Sequence, residues 1–142
     1  MKEQQTNVEL IVVDHINRNN YEEYIGETVK VTGDVDLNFL GLTKIPINFT
    51  EVGGGFYCDN NNLASLKGAP KEVGDNFYCS GNKLTSLEGG PEKVGGYFSC
   101  SDNQLTDLEG APEKVGGSFA CSKNQLTSFK GKPKIIGRNF IS

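Results

Sequence analysis

The chain has 142 residues, a formal net charge of -4 and 23% charged residues. A chain of this size suits one domain that buries roughly 68–70% of the surface its unfolded state exposes. No apolar run reaches the ~20 residues of a membrane-spanning helix, and residues 1–5 do not lead into a signal peptide. We therefore expect a cytoplasmic protein without membrane partners.

Residues 1–32 precede the repeated part of the chain, and we predict that they form a cap of one helix and one short strand. Apolar residues recur near helical spacing over residues 6–17, after possible Thr and Asn caps, which predicts a helix there. The β-branched cluster at residues 11–13 favours a strand instead. The predicted cap continues through Tyr21, Tyr24 and Ile25 and ends with a strand over residues 29–31.

Residues 33–142 follow a repeat of 21 residues that reads F-x-C-x-x-N-x-L-x-x-L-x-G-x-P-x-x-V-x-G-x. A fixed period of 20 to 50 residues indicates a solenoid, in which each unit stacks on its neighbours. The F-x-C alternation points Phe and Cys to one face of a short strand, and we expect that face to be buried. Because the strand recurs in one direction, we predict a parallel sheet of about six strands. The first repeat is degenerate, with Leu37 at the Cys position.

Two columns of the repeat need an interpretation, the asparagines (Asn61, Asn82, Asn103 and Asn124) and the cysteines (Cys58, Cys79, Cys100 and Cys121). We expect each Asn side chain to satisfy buried backbone groups of neighbouring turns, since it offers both a donor and an acceptor. The cysteines never form C-x-x-C and the single His15 is distant, so zinc-ligand spacing is absent. We interpret the cysteines as small buried residues in a reducing compartment, and we expect neither a metal nor a cofactor.

The stretch F-x-C-x-x-N-x-L-x-x-L resembles the leucine-rich repeat signature L-x-x-L-x-L-x-x-N-x-L, with Phe and Cys at two leucine positions. The glycine-rich form V-G-G-x-F-x-C is similar to small repeat proteins encoded by bacteria and bacteriophages. The resemblance implies a leucine-rich repeat solenoid with the sheet on its concave face and loops on its convex face. One departure is glycine at the first leucine position, as in Gly74, Gly95 and Gly116, which leaves Val73, Val94 and Val115 to make the apolar contact.

In such a solenoid the outward side of the sheet is the usual binding surface. The outward positions are mostly small and polar, so the tyrosines stand out, and we predict a partner-binding site of Tyr57, Tyr78, Tyr97, Asp59, Asn76 and Asp102. Exposed tyrosines are typical anchors of protein interfaces. The alternative is that they reflect β-propensity and stack on each other.

We consider three functions from these residues. A non-enzymatic protein-binding module ranks first, and the phage resemblance implies an inhibitor or modulator of a host protein, such as a defence protein, in the host-cell cytoplasm. A nucleic-acid or polyanion binder ranks second, based on the basic residues Lys123, Lys130, Lys132, Lys134 and Arg138. An enzyme ranks third, because there is one histidine and no evident carboxylate pair in a cleft.

The carboxy-terminal end is predicted to form the sixth strand, with Phe140 and Ser142 at the Phe and Cys positions. Its edge would present unpaired backbone groups and apolar side chains, which proteins normally cover. We therefore expect a homodimer through residues 135–142, with Phe140, Ile141 and Ser142 at the edge, and the alternatives are a bound partner or a weakly protected monomer edge. The basic residues nearby oppose such a dimer, because like charges would meet.

Overall fold

The computed structural model describes residues 10–142, which form a parallel β-solenoid of about six turns with almost no helix. Two sheets run along the solenoid, and neighbouring strands within each sheet are parallel. Sheet A contains β1 (Ile11–Val13), β2 (Thr28–Val31), β4 (Asn48–Val52), β6 (Glu72–Val73), β8 (Lys93–Val94), β10 (Lys114–Val115) and β12 (Ile135–Ile136). Sheet B contains β3 (Val35–Asp36), β5 (Phe56–Tyr57), β7 (Phe77–Tyr78), β9 (Phe98–Ser99), β11 (Phe119–Ala120) and β13 (Phe140–Ile141). One 3-10 turn, Tyr21–Tyr24, joins β1 to β2.

The predicted parallel sheet of about six strands is confirmed by sheet B. Its register follows the repeat, since Phe77 is paired with Phe56 on one side and with Phe98 on the other. The predicted alternation is also confirmed, because Phe77 and Cys79 are buried whereas Tyr78 between them is partly exposed. Leu37 is buried at the Cys position of the degenerate first repeat, and Val35 pairs with Phe56.

Sheet A is the part of the fold that the sequence pattern did not predict. In each full repeat the residue before the glycines, such as Val73 or Val94, ends a short strand of sheet A, and the chain then bends into sheet B. The bend explains the glycine at the first leucine position. A Cβ atom added to Gly74 would overlap the carbonyl oxygen of Gly53 one coil below, and one added to Gly95 would overlap that of Gly74. Only glycine lets successive coils stack this closely at the bend.

The interior consists of columns in which the same residue type stacks from coil to coil. The phenylalanine rings lie nearly parallel, with Phe77 and Phe98 centroids 5.3 Å apart and Phe98 and Phe119 centroids 5.1 Å apart. The core also contains the cysteines, the repeat leucines such as Leu84 and Leu87, and the valines of sheet A. No single coil could bury these side chains alone, so each depends on its neighbours.

The helix predicted over residues 6–17 is wrong for the part that the structure describes, and its first residues, 6–9, lie outside the described residues. Ile11–Val13 is instead a strand, β1, paired in parallel with Val29–Val31 of β2. The β-branched cluster therefore outweighed the helical spacing, because β2 offers an edge on which such residues pack. The strand predicted over residues 29–31 is confirmed as part of β2.

Both β1 and β2 therefore belong to sheet A and continue it beyond β4. Ile16, Val29 and Val31 are buried in the same core as the repeats. The first coil is thus covered by strands of different sequence rather than by a helix. Within residues 10–142, no helix has the length and apolar content needed to cross a bilayer.

Candidate functional site

Three tyrosines lie in contact on the outer face of sheet B, and we call Tyr57, Tyr78 and Tyr97 the tyrosine patch. Tyr57 and Tyr78 are direct partners on β5 and β7, so their side chains leave the sheet side by side. Their ring centroids are 5.2 Å apart with an interplanar angle of 83°. Tyr97, from the turn before β9, reaches Tyr78 with centroids 5.7 Å apart at 76°. Edge-to-face pairs of this kind are favourable arrangements of aromatic rings.

Asn76 holds two members of the patch in place. Its Oδ1 accepts a hydrogen bond from the backbone N–H of Tyr97 at 2.9 Å, and its Nδ2 donates to Oη of Tyr57 at 3.4 Å. Asn76 lies in the turn between β6 and β7, one coil above Tyr57 and one below Tyr97. The residue therefore has a positioning role that fits its place in the predicted site.

Gly55 is a contributor that the sequence reasoning did not single out. It is buried beneath Tyr57, and a Cβ atom added to it would overlap the tyrosine ring. The ring can lie flat against the turn only because this position has no side chain. The signal in the sequence is the third consecutive glycine of Gly53–Gly54–Gly55, where later repeats have Asn, Tyr or Ser at the last position.

Asp59 is half-buried beside the patch and is fixed by the backbone of the next coil. Its Oδ1 accepts the N–H of Ser80 at 2.8 Å. Burial raises the pKa of Asp59, with a further rise from the charge of Asp36, while the hydrogen bond from Ser80 acts in the opposite direction. The unfavourable burial outweighs the hydrogen bond, so ionised Asp59 carries a cost in the folded protein.

The hydroxyl of Tyr78 is at the centre of these groups. Burial is the largest cause that raises its pKa, followed by Tyr57 and Tyr97 and then by the negative charges of Asp59 and Asp75. Both aspartates therefore lie close enough to act on the tyrosine. The phenol remains protonated near neutral pH and can donate a hydrogen bond to a bound group.

Asp102 of the predicted site has a different role from the other five residues. It is exposed and adopts a positive φ of 58°, in the same left-handed position as Gly81 and Lys123 one coil away on either side. Asn and Asp tolerate this conformation better than most residues. Its backbone N–H donates to Ser122 O at 2.8 Å. The structure thus assigns Asp102 to the turn after β9 and gives it no described contact with the tyrosines.

Beyond the patch the outward column of sheet B changes character. It continues with Ser99, then with Ala120, which is buried, and ends with the exposed Ile141. The hydroxyl oxygens of Ser80 and Ser99 lie 2.6 Å apart, so these small residues bond to each other. The tyrosines of this face are therefore confined to the coils of Tyr57, Tyr78 and Tyr97, and the exposed Phe39 lies in the turn after β3.

The asparagine column has the structural role that was predicted. The Nδ2 of Asn103 donates to the carbonyl oxygens of Cys79, Cys100 and Ser101 at 3.0, 3.1 and 3.2 Å. Its Oδ1 accepts the N–H of Leu84 at 3.0 Å. Asn82 and Asn124 repeat this pattern in the adjacent coils. Each buried amide therefore joins one coil to the next.

The four cysteines are buried and free, as predicted, and line the core beneath sheet B. The Sγ atom of Cys58 donates to the carbonyl oxygen of Tyr78 at 3.3 Å, and that of Cys79 donates to Ser99 at 3.4 Å. Burial is the main cause that raises the pKa of each thiol. Thiols of this kind are poor nucleophiles and poor metal ligands. No group of three or more potential metal ligands occurs among residues 10–142.

Several of the basic residues near the carboxy-terminal end have partners within the chain. Lys130 pairs with Glu109 at 3.4 Å, and Lys134 pairs with Glu113 at 3.9 Å. The Nζ of Lys132 lies 4.4 Å from the centroid of the Phe140 ring. These contacts are distributed over one coil and reduce the positive charge available to a polyanion.

The residues of the predicted dimer edge form the last strand of sheet B. Phe140 and Ile141 pair with Phe119 and Ala120, and Ser142 follows the strand. Apolar side chains are exposed around this end, at 48% for Phe129 and 39% for Ile141. Pairing with a second copy stays a prediction.

A second surface, absent from the sequence reasoning, lies on sheet A. A shallow groove of about 450 Å³ runs over four coils along the glycine bends. Charged side chains of both signs line it: Glu51, Glu72, Lys93 and Lys114. The repeated K/E-V-G signal could have predicted this surface, because it places one exposed charge before each buried valine.

No protein-family profile, curated protein or solved structure matches this chain. The site is therefore interpreted from its own geometry.

Proposed function

We propose that this chain is a non-enzymatic protein-binding module whose contact surface is the outer face of sheet B, centred on the tyrosine patch. The observation that carries the proposal is the contact of three partly exposed tyrosines on adjacent coils. Two ring pairs and the hydrogen bonds of Asn76 order these side chains before any partner arrives. Tyrosine gives a large contact area at low entropic cost, and ordering it in advance lowers that cost further.

The rest of the molecule supports a rigid platform rather than a catalyst. Backbone hydrogen bonds tie each coil to the next, such as Phe77 N–H to Tyr97 O at 2.8 Å and Cys79 N–H to Ser99 O at 2.9 Å. The thiols are inside the core, and His15 lies at the amino-terminal end, away from the patch in the coil order. A rigid sheet that presents a few aromatic anchors is the arrangement that protein interfaces use.

We further propose, from the sequence resemblance, that the repeats are of the small leucine-rich type found in bacteria and bacteriophages. The sheet B face would then be the concave face, and an inhibitor or modulator of a host protein would be the biological role. Nucleic-acid binding through the basic carboxy-terminal coil is the alternative. It predicts an affinity that falls steeply with salt, because phosphate contacts release counterions.

An affinity pull-down with the immobilised chain tests the binding proposal. The test variant carries Tyr57→Ala, Tyr78→Ala and Tyr97→Ala, and the matched control carries Thr85→Ala and Thr106→Ala, which change exposed positions elsewhere on the same coils. We expect a specific partner to be retained by the parent and the control but lost from the triple variant, since central anchors contribute about 2 kcal/mol or more each. Equal retention by all three proteins would refute the proposal.

A further inference from the structure

The charged residues at the outward positions around the tyrosine patch are all acidic. The outward positions of sheet B and its flanking turns are residues 33, 34, 36, 38 and 39 and their equivalents in the next three coils. These positions contain five carboxylates and no Lys or Arg: Asp34, Asp36, Asp59, Asp75 and Asp102. All five are exposed except Asp59, which is half-buried. Basic residues border the face at both ends: the Arg18 guanidinium donates to Asn38 O at 3.4 Å on the amino-terminal side, and Lys123 and Arg138 follow beyond the patch.

Sheet A, in contrast, carries both acidic and basic side chains on its surface. Lys30 pairs with Glu51 at 3.1 Å, and the groove over the sheet has both Glu and Lys side chains along its length. The two faces are built from the same coils with the same spacing. The excess of acidic residues at these positions of sheet B is therefore a property of that face and not of the repeat.

Several carboxylates lie next to the tyrosines in the strand and turn register. Asp36 is the strand partner of Tyr57 on β3, one coil below it. Asp75 precedes Asn76 in the turn that supports Tyr57 and Tyr97. Asp59 and Asp75 both act electrostatically on Tyr78. The face thus combines aromatic rings with carboxylates, and both groups attract cations.

We infer that the partner segment recognised by this face is an extended protein strand that presents arginine or lysine side chains at alternate positions. The inference rests on the proposed protein-binding function and specifies its partner. Coils are spaced by about 4.8 Å, so the carboxylates of three coils span about 10 Å along the solenoid axis. Alternate residues of an extended strand are about 6.6 Å apart on one side, so two or three cationic side chains match that span.

The tyrosines and the carboxylates of this face would contact different parts of the cationic side chains. The half-exposed tyrosine rings accept the flat guanidinium or the ammonium group against their faces. Asp36 and Asp75 are exposed and can accept hydrogen bonds from the same cations, and arginine can bind a carboxylate through two N–H groups. A nucleic acid would meet five negative charges here, so this face disfavours a polyanion.

A titration with a defined peptide tests the inference. The probe is a heptapeptide with blocked ends that alternates glycine and arginine, and the control peptide has glutamate in place of arginine. Binding is followed by the amide chemical shifts of the intact chain at low salt and again at 0.5 M salt. We expect the arginine peptide to shift resonances of the tyrosine patch, the shifts to weaken at high salt, and the glutamate peptide to have no effect.

Two double variants, each lacking two negative charges, distinguish specific peptide contacts at the patch from general electrostatic attraction to the acidic protein. Asp36→Asn with Asp75→Asn removes two charges from the patch, and Glu72→Gln with Glu92→Gln removes two from the sheet A side. We expect the aspartate pair to weaken peptide binding about tenfold or more and the glutamate pair to have little effect, because hydrogen bonds to an ionised carboxylate are stronger than those to a neutral amide. Equal weakening by both pairs would overturn the inference.

The outcomes also distinguish this inference from the proposed function. If the arginine peptide fails to bind while the triple tyrosine variant still loses its captured partner, the partner class is wrong and the binding face stands. If the triple variant keeps its partner, the binding face itself is wrong. A single-stranded oligonucleotide that binds the parent and not the triple tyrosine variant would also overturn the inference, since this face would then accept a polyanion.

Discussion

The inward and outward columns of sheet B differ although they alternate along the same strands. Inward, the repeat places Phe at every coil from Phe56 to Phe140 and stacks the rings 5.1–5.8 Å apart. Outward, the residue changes from coil to coil, and the column reads Asp36, Tyr57, Tyr78, Ser99, Ala120 and Ile141. Stacking fixes the inward residues, because each must fit the same residue above and below it. The outward residues are free of that requirement, so recognition can be encoded there.

The largest effect is expected for an inward phenylalanine. Phe98 is fully buried between Phe77 and Phe119, so Phe98→Ala removes two ring contacts and leaves a cavity. We expect a loss of about 3–5 kcal/mol in the free energy of unfolding, measured by urea titration. Ser99→Ala, the next residue on the outward face, is the control and should change stability by less than about 1 kcal/mol. Similar losses for both variants would contradict the comparison.

The asparagine column should show a slightly smaller effect. Asn103→Ala leaves the N–H of Leu84 without its acceptor, and the carbonyl oxygens of Cys79 and Cys100 each lose one of two amide donors and keep that of Asn82 or Asn124. We expect a loss of about 1–3 kcal/mol, because one unsatisfied buried group costs about that much. Gln104→Ala, at the exposed neighbouring position, serves as the control. If Asn103→Ala unfolds at the urea concentration of the parent, the asparagines do not hold the coils together.

The thiols offer a test of the inward columns without mutation. Cys58, Cys79 and Cys100 are fully or nearly fully buried, and burial raises the pKa of all three, so little thiolate is present even at pH 9. We expect reaction with a thiol reagent at pH 8 to be at least about a hundredfold slower in native buffer than in urea, because local opening must come first. Rapid reaction of all four thiols in native buffer would place them on the surface.

The smallest effect concerns the edge of the tyrosine patch. Because the pKa of Asp59 is raised in the folded protein, the folded state binds its proton more tightly than the unfolded state. This group therefore lowers stability as pH rises from about 3.9 through the folded pKa, and the cost is complete above it. Asp59→Asn should be slightly more stable than the parent at pH 7, with the difference vanishing near pH 3.

Asp102→Asn is the control for that measurement, since it changes an exposed aspartate in a turn. Thermal unfolding from pH 3 to pH 7 would reveal the trend. If the parent instead becomes more stable than Asp59→Asn as the pH rises, the hydrogen bond from Ser80 stabilises ionised Asp59 by more than burial destabilises it.

The repeat predicted most of sheet B because its signals are local and occur several times. The alternation of Phe98 and Cys100 and the position of Asn103 in each coil follow from spacing alone. Sheet A was missed because its repeat strands show one buried valine each, which is too short a pattern to indicate a strand. The helix expected over residues 6–17 failed because pairing of Ile11–Val13 with β2 is a tertiary contact that local spacing does not report.

Part of the tyrosine patch could be predicted because strand alternation is a local signal. The outward positions of Tyr57 and Tyr78 follow from strand alternation. The contact of Tyr97 with Tyr78, the support by Asn76 and the space above Gly55 depend on how turns of different coils meet. The sequence position of Asp102 predicts a place beside the patch, whereas its positive φ places it in the turn after β9.

We propose that the outward residues of sheet B bind the partner and the inward residues stabilise the fold. The variant Tyr78→Ser separates these two roles. Serine is the residue of the same column one coil further on, at Ser99, so the sheet already accommodates it. The measurement is urea unfolding of the variant together with its capture of the partner retained by the parent. We predict a stability loss of about 1–3 kcal/mol, smaller than that of Phe98→Ala, since two edge-to-face ring pairs contribute about 0.5–1.5 kcal/mol each, together with loss of capture. A stability loss as large as that of Phe98→Ala, with capture unchanged, would contradict the claim.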